Sequence, residues 1–192
     1  MKTSPLTGAL IGGIFGATWL IANANTPLGP TASLVFRIVG VSGLITLAIG
    51  LQRARRRPIG PSPRHGGNLF GRAYWQIVGG EALLLAIGFA AIATAGAPGE
   101  LYRPWTAIVV AAHFIAFRRA GVWRGSALWP TVPLLTVGAV GLALAYTPAA
   151  RWVVVVTGIG TGLILLSGCL YLVIHETAAK RVTETAADLL AS

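Results

Sequence analysis

The sequence predicts an all-α protein, a polytopic transmembrane helical bundle of six helices. The chain has 192 residues, of which 55% are hydrophobic and 10% charged, with a mean hydropathy of +0.73. That composition is too apolar for a soluble domain of this length. The apolar residues form runs close to the roughly 20 residues that a helix needs to cross about 30 Å of hydrocarbon. The runs lack the alternation of barrel strands, so helices are the expected spanning elements.

Six apolar runs occur along the chain, at residues 6–24, 31–51, 74–96, 104–117, 126–146 and 152–174. Segments with proline or glycine at 25–30, 96–104 and 147–151 are typical of the turns between hairpin helices. The fourth run is short unless its helix continues to Arg119, whose side chain can reach the headgroups. Residues 1–175 are therefore predicted to form one transmembrane domain, and 176–192 a cytoplasmic helical tail with apolar residues at helical spacing.

Basic residues segregate to one side of the predicted bundle. The net charge is +10, and only Arg103 and Arg151 fall in loops on the other side. By the positive-inside rule, this distribution predicts a multi-pass protein of the cell membrane with both termini in the cytoplasm. Nucleic acid is not an expected partner, because no aromatic platform or folded basic module accompanies the arginines.

The first apolar run has a second interpretation. Lys2, the following apolar stretch and Ala22-Asn23-Ala24 together imitate a signal peptide with its cleavage site. Cleavage would leave five helices and an external N-terminus. The run is long for a signal peptide and another hydrophobic helix follows, so we expect a retained helix.

Three ionisable side chains lie inside the predicted spans at overlapping depths: Arg37 in the second, Glu81 in the third and His113 in the fourth. Burying one charge in hydrocarbon costs at least about 2.5–3.5 kcal/mol, so such groups face the bundle interior and pair. We expect Glu81 to pair with Arg37 and His113 to bond to the carboxylate. This ion or ligand site would gain and lose charge near neutral pH. The alternative is a structural cluster that sets helix register without chemistry.

The cytoplasmic linker after the second run begins with a basic cluster, Arg53, Arg55, Arg56 and Arg57. Basic residues near the surface favour anionic headgroups by about 1 kcal/mol each, so membrane lipids are predicted partners at the cytoplasmic face. The same cluster is also explained by topology alone.

Small residues at four-residue spacing predict close helix packing at Gly8, Gly12 and Gly16 in the first helix and at Gly158 and Gly162 in the sixth. These faces either seal the bundle internally or join two copies in a homo-oligomer. The internal role is favoured because small residues are common in membrane helices.

The sequence shows no pattern typical of a metal site or of an enzyme. Its histidines, His65, His113 and His175, are scattered, and Cys169 is the single cysteine. It has neither the Gly-x-Ser-x-Gly elbow of hydrolases nor a phosphate-binding loop. We therefore predict no catalytic residue, no metal and no cofactor.

The patterns R-x-Y-W-x-I-V-x-x-E at 72–81 and P-W-x-x-x-V-V-x-x-H-F at 104–114 resemble small, uncharacterised integral membrane proteins of actinobacteria. This resemblance covers the third and fourth helices. It implies a small multi-helix membrane protein with Glu81 and His113 at the polar positions, and no particular activity. We expect a small transporter or permease with a proton- or ion-responsive intramembrane site. The alternative is a non-catalytic membrane or assembly subunit whose buried charges are structural.

Overall fold

The computed structural model describes residues 5–55, 71–121 and 128–174, and it confirms the all-α fold with six helices. The helices are α1 (Pro5–Asn23), α2 (Pro30–Arg55), α3 (Arg72–Thr94), α4 (Tyr102–Arg119), α5 (Leu128–Ala145) and α6 (Ala150–Ile174). Each coincides with one apolar run of the sequence, and α4 extends to Arg119 as its charged end suggested. The tail 176–192 and the linker residues 56–70 lie outside the described residues.

Among the described residues, three helices are long and apolar enough to cross a membrane: Pro30–Arg53 within α2, Arg72–Thr94 and Ala150–Ile174. The apolar parts of α1 and α5, Gly8–Asn23 and Trp129–Ala145, are shorter. Helix α4 carries a basic residue in its first turn and two in its last. The length and composition of the three long helices fit a membrane protein.

Helix α6 is the centre of the bundle. It contributes a buried residue to each of the four apolar clusters of the described structure: Val153, Ile159 with Leu166, Leu165, and Val173. Helices α1 and α2 pack together and both contact α6, while α4 and α5 pack on α6 as well as on each other. Helix α3 packs on α4, and none of residues 72–94 is buried.

The direction of the helices alternates. Ala9 of α1 lies in one cluster with Leu51 of α2 and Val173 of α6, so the start of α1 meets the ends of the other two. Val110 of α4 lies in one cluster with Leu165 of α6, and the clusters place α4 parallel to α6. Tyr74 stacks on Phe117, so the start of α3 meets the end of α4.

This arrangement collects most of the described basic residues at one end of the bundle, which we call the basic end. It contains the ends of α2 and α4 and the start of α3, with Arg53, Arg55, Arg72, Arg118 and Arg119. Arg103 and Arg151 lie at the start of α4 and of α6, at what we call the opposite end. The segregation inferred from the loops therefore holds in the structure.

Helices α1 and α6 meet backbone to backbone along a glycine seam. A Cβ at Gly16 would lie 2.8 Å from the backbone nitrogen of Leu166, and a Cβ at Gly162 would lie 2.8 Å from that of Leu20. Gly12 faces the Sγ of Cys169 in the same seam. The internal role predicted for these glycines is confirmed, because they touch helices of their own chain. Gly8 differs, since a Cβ there would meet nothing within 4 Å.

The first turns of α6 are irregular. A 3₁₀ turn at Ala150–Trp152 is followed by a π-helical segment at Val154–Ile159. Gly158 lies in that segment, where the side chain of Asn23 occupies the space of a missing Cβ, with its own Cβ 2.6 Å from the ideal position. Single π turns are frequent at functional sites. This one holds the last residue of α1 against α6.

Candidate functional site

Glu81 and His113 face each other across the α3–α4 hairpin. The connection between these helices is short because Gly96 adopts a positive φ of 60° after α3, and a 3₁₀ turn at Gly99–Leu101 leads directly into α4. An antiparallel hairpin brings residues of equal depth side by side. Glu81 lies about 13 Å along α3 from Arg72, and His113 about 9 Å from the end of α4, at 1.5 Å per residue. Both therefore lie inside the apolar part of the hairpin.

The carboxylate Oε2 of Glu81 is in ion-pair contact with Nδ1 of His113. The side chains are 20% and 16% exposed, respectively. Nδ1 is buried and has no hydrogen bond to any other described residue. Two lone pairs in contact would repel each other, so a proton lies between these atoms, carried either by the imidazole or by the carboxyl group. The contact thus joins the two side chains through a single exchangeable proton.

Aromatic rings cover the side of the Glu81–His113 pair that faces the basic end of the bundle. The ring of Phe117 lies edge-on to His113, with centroids 4.0 Å apart, one helical turn along α4. Tyr74 of α3 stacks on Phe117 at 5.4 Å. The stack separates the pair from the arginines at the helix ends. A low-dielectric surrounding of this kind strengthens the interaction between two ionisable groups.

A second contact holds the hairpin on the other side of the pair. The Nε1 of Trp105 donates a hydrogen bond to the backbone oxygen of Leu84 at 3.2 Å. The indole fits because position 88 is glycine, where a Cβ would lie 2.0 Å from Nε1. This contact between Gly88 of α3 and Trp105 of α4 was not predicted from the sequence.

Arg37 does not join the pair, and the predicted Glu81–Arg37 contact is wrong. Its Nη2 donates instead to the side-chain oxygen of Asn25 at 2.9 Å and to the backbone oxygen of Ala24 at 3.3 Å. The reason is which helices are neighbours in the bundle. Helix α2 packs on α1, whereas α3 packs on α4, so similar depth does not make Arg37 and Glu81 neighbours.

A second polar cluster, not found from the sequence, lies at the opposite end. The Nε of Arg103 donates to Oδ1 of Asn23 at 2.8 Å, and Nδ2 of Asn23 donates to the oxygen of Trp19. Asn23 is 6% exposed. Asn23 is a polar residue at the end of an apolar run, and that position could have indicated a buried polar contact. The sequence analysis interpreted Asn23 only as part of a possible cleavage site.

Among the described residues, few other charged or titratable side chains lie near the Glu81–His113 pair. Helix α5 has no ionisable side chain over Leu128–Ala145, and in α6 the Cys169 thiol lies on the α1 side. Tyr74 adjoins the pair through Phe117, and Arg118 and Arg119 follow one to two turns along α4. Of the predicted headgroup contacts, Arg53 is exposed at the basic end, whereas Arg56 and Arg57 lie outside the described residues.

Comparison with protein families, curated proteins and solved structures gave no match for this chain.

Proposed function

We propose that this protein is a small proton-responsive membrane protein of the transporter or permease type, with Glu81 and His113 as its proton site. The observation that carries the proposal is their contact inside the apolar part of the α3–α4 hairpin. Ionisable groups within membrane spans are candidates for proton relays by default. Arg37 is not part of this site.

The chemistry of the pair suits proton exchange. With one proton between them, the carboxyl group and the imidazole are together neutral if the other imidazole nitrogen also carries its hydrogen. Gain or loss of one proton gives the pair a net charge. A net charge in hydrocarbon costs at least about 2.5 kcal/mol, so the proton count of the pair alters the stability of the hairpin around it.

Helix α3 is the element on which that change would act. It has no buried residue, and side-chain contacts hold it on α4: the Glu81–His113 pair, the Trp105–Leu84 hydrogen bond, and the Tyr74–Phe117 and Phe89–Tyr102 ring contacts. A helix held by a few contacts opens more easily than one embedded in a core. A proton arriving at the pair therefore biases the position of α3, as the gating step of a transporter requires.

The membrane setting is part of the same proposal. The three long apolar helices support insertion, and the alternating direction of all six supports a multi-pass arrangement. The basic end carries most of the described arginines, which supports a cytoplasmic location for that end and for both termini in the cell membrane. Arg53 and its neighbours then face anionic headgroups of the inner leaflet.

The alternative function is that of a non-catalytic membrane or assembly subunit in which the pair is structural. A specific observation favours it: the pair lies among other side-chain contacts of the same helix seam and would add one more attachment between the two helices. In that case the imidazole and the carboxylate keep one protonation state and only join α3 to α4.

Carboxyl infrared spectroscopy of the protein in lipid separates the two functions. The spectra are recorded over a pH series for wild type, Glu81→Gln and Glu100→Gln. Glu100 is the matched control, because it is the other described glutamate and lies in the connection between the same two helices. We expect a pH-dependent band of a protonated carboxyl group in wild type and Glu100→Gln that is absent from Glu81→Gln.

The contrary result is a set of pH difference spectra that are identical in wild type and Glu81→Gln, with a lower melting temperature as the only effect. That outcome would assign the pair to structure. A positive result leads to proteoliposomes with an entrapped pH dye, in which Glu81→Gln should reduce proton movement and Glu100→Gln should not.

A further inference from the structure

Two arginines near the opposite end of the bundle, Arg37 and Arg103, contact the end of α1, and like Arg151 they are not explained by membrane topology. Arg37 lies about 10 Å along α2 from Pro30 at 1.5 Å per residue. Arg103 lies in the first turn of α4. Positive-inside bias places arginine at the basic end, so residues at the other end need a different explanation.

The last residue of α1 and the two residues after it bind both guanidinium groups. Arg37 bonds to Ala24 and Asn25, and Arg103 bonds to Asn23. The two cations therefore flank one segment of three residues. Asn23 is itself fixed by its bond to Trp19 and by its seat on Gly158, so the Arg103 side chain is bound to a rigid partner.

Neither guanidinium has a carboxylate partner in the described structure. The single ion pair there joins Glu81 to His113, and Glu100, three residues before Arg103, is not in salt-bridge contact with it. Arg37 bonds through Nη2 alone and Arg103 through Nε alone. A guanidinium carries five N–H donors, so most of the donors of both groups remain available.

The end of α1 explains part of this arrangement. A cation at a helix C-terminus is favoured by the partial negative charge of the last carbonyl groups. Nη2 of Arg37 makes that interaction through its bond to the backbone oxygen of Ala24. This bond leaves two positive charges bound to the same three-residue segment at the edge of an apolar bundle, where an anion is the natural complement.

The surroundings of Arg37 indicate the kind of anion. Arg37 is exposed on α2, and Leu34, Ile38 and Val41 on the same side of the helix are exposed apolar residues. Such a surface suits acyl chains, with the guanidinium at the level to which a headgroup phosphate reaches. Arginine matches phosphate oxygens with two parallel hydrogen bonds.

We infer that Arg37 and Arg103 bind the phosphate group of a phospholipid at the opposite end of the bundle, with its acyl chain along α2. The site differs from the Glu81–His113 pair and from the predicted headgroup contacts of the basic end. It does not depend on the proposed proton function.

Native mass spectrometry of the detergent-solubilised full chain tests this inference with phosphatidylglycerol as the probe. The variants are Arg37→Gln and Arg103→Gln, with Arg151→Gln as the matched control. Arg151 is also at the opposite end, and its guanidinium lies 6.0 Å from the Trp152 ring. Diacylglycerol with the same chains tests the need for phosphate, and millimolar inorganic phosphate tests for a free anion.

We expect wild type and Arg151→Gln to retain the same number of tightly held lipids. Arg37→Gln and Arg103→Gln should each retain one fewer, with the affinity of that lipid reduced about tenfold, as expected for one charge-assisted hydrogen bond. Diacylglycerol and inorganic phosphate should not displace it. Lipids held at the basic end should be equal in all four proteins.

Three results would overturn the inference: unchanged lipid retention in Arg37→Gln, equal loss in Arg151→Gln, or displacement by inorganic phosphate, which would mark a site for a dissolved anion. Melting temperatures of all variants accompany the measurement. Arg37 is exposed, so Arg37→Gln decides the question even if Arg103→Gln does not fold.

Discussion

Two helix seams of this bundle are built in opposite ways. Along the α1–α6 seam, Gly16 and Gly162 bring two backbones into contact, with apolar residues such as Leu20 fully buried beside them. Along the α3–α4 seam, contact is made by the tips of side chains, and no α3 residue is buried. In lipid, helices associate through close packing and through polar contacts. The glycine seam relies on the first and the hairpin on the second.

The difference matters because a contact between closely packed backbones has a single arrangement, whereas a contact between ionisable groups has several protonation states. The fit at Gly16 and Gly162 is fixed by backbone atoms. The contact between Glu81 and His113 joins two ionisable groups, whose charge depends on the protons that they hold. The chain thus combines a side packed backbone to backbone, centred on α6, with one helix that is attached by side chains. In the proposed function, that attachment responds to a proton.

The largest expected effect is on the rigid side. Gly16→Ala puts a Cβ 2.8 Å from the nitrogen of Leu166 and 3.1 Å from the oxygen of Gly162, both backbone atoms that cannot move aside. We expect destabilisation by about 1–3 kcal/mol, the usual range for overpacking. Thermal unfolding in detergent measures it.

Gly8→Ala is the control on the same helix. A Cβ at Gly8 meets nothing within 4 Å, and alanine favours helix by about 1 kcal/mol over glycine, so this variant should be neutral or more stable. Equal melting temperatures for Gly16→Ala and wild type would contradict the role assigned to the glycine seam.

A smaller, local effect is expected in the hairpin. Gly88→Ala displaces the indole of Trp105, because the new Cβ would lie 2.0 Å from Nε1, and it removes the hydrogen bond to Leu84. We expect a cost of about 1 kcal/mol, typical of one hydrogen bond, with faster amide hydrogen exchange confined to residues 72–94. Exchange mass spectrometry gives both the rate and its location.

Gly80→Ala is the matched control for this variant, since a Cβ there meets nothing within 4 Å. If exchange in Gly88→Ala rose throughout α1 and α6 as well, α3 would be part of one cooperative unit, and the contrast between the two seams would be lost.

Much of this fold was predictable from sequence because its helices are set by local properties. Each apolar run has the length of a helix, and the arginines mark its ends, so the six helices and the basic end followed from the sequence. The same holds for the glycine seam. Spacing of four residues puts Gly12 and Gly16 on one face, which α6 then occupies.

Only part of the candidate site was predictable, because its geometry depends on which helices are neighbours in the bundle. A short hairpin forces Glu81 next to His113, and sequence depth was enough to pair them. Arg37 has a similar depth, but a long linker separates α2 from α3 and leaves their relative position open. The Asn23–Arg103 bond joins residues 80 positions apart, and no spacing rule connects them.

The proposed function requires that the proton state of Glu81 and His113 sets the position of α3 while the glycine seam stays fixed. Pairs of spin labels can follow both seams in the same lipid. One pair, at exposed Ala90 and Ala143, reports the position of α3 relative to α5. The other, at exposed Thr18 and Ser167, reports α1 relative to α6. Both are introduced into a Cys169→Ala background.

Pulsed electron paramagnetic resonance then measures both distances over a pH series, in wild type and in Glu81→Gln. We expect the α3–α5 distance to change with pH in wild type and to be constant in Glu81→Gln, with an unchanged α1–α6 distance throughout. An α3–α5 distance that ignores pH in wild type, or one that still changes in Glu81→Gln, would contradict the proposed function.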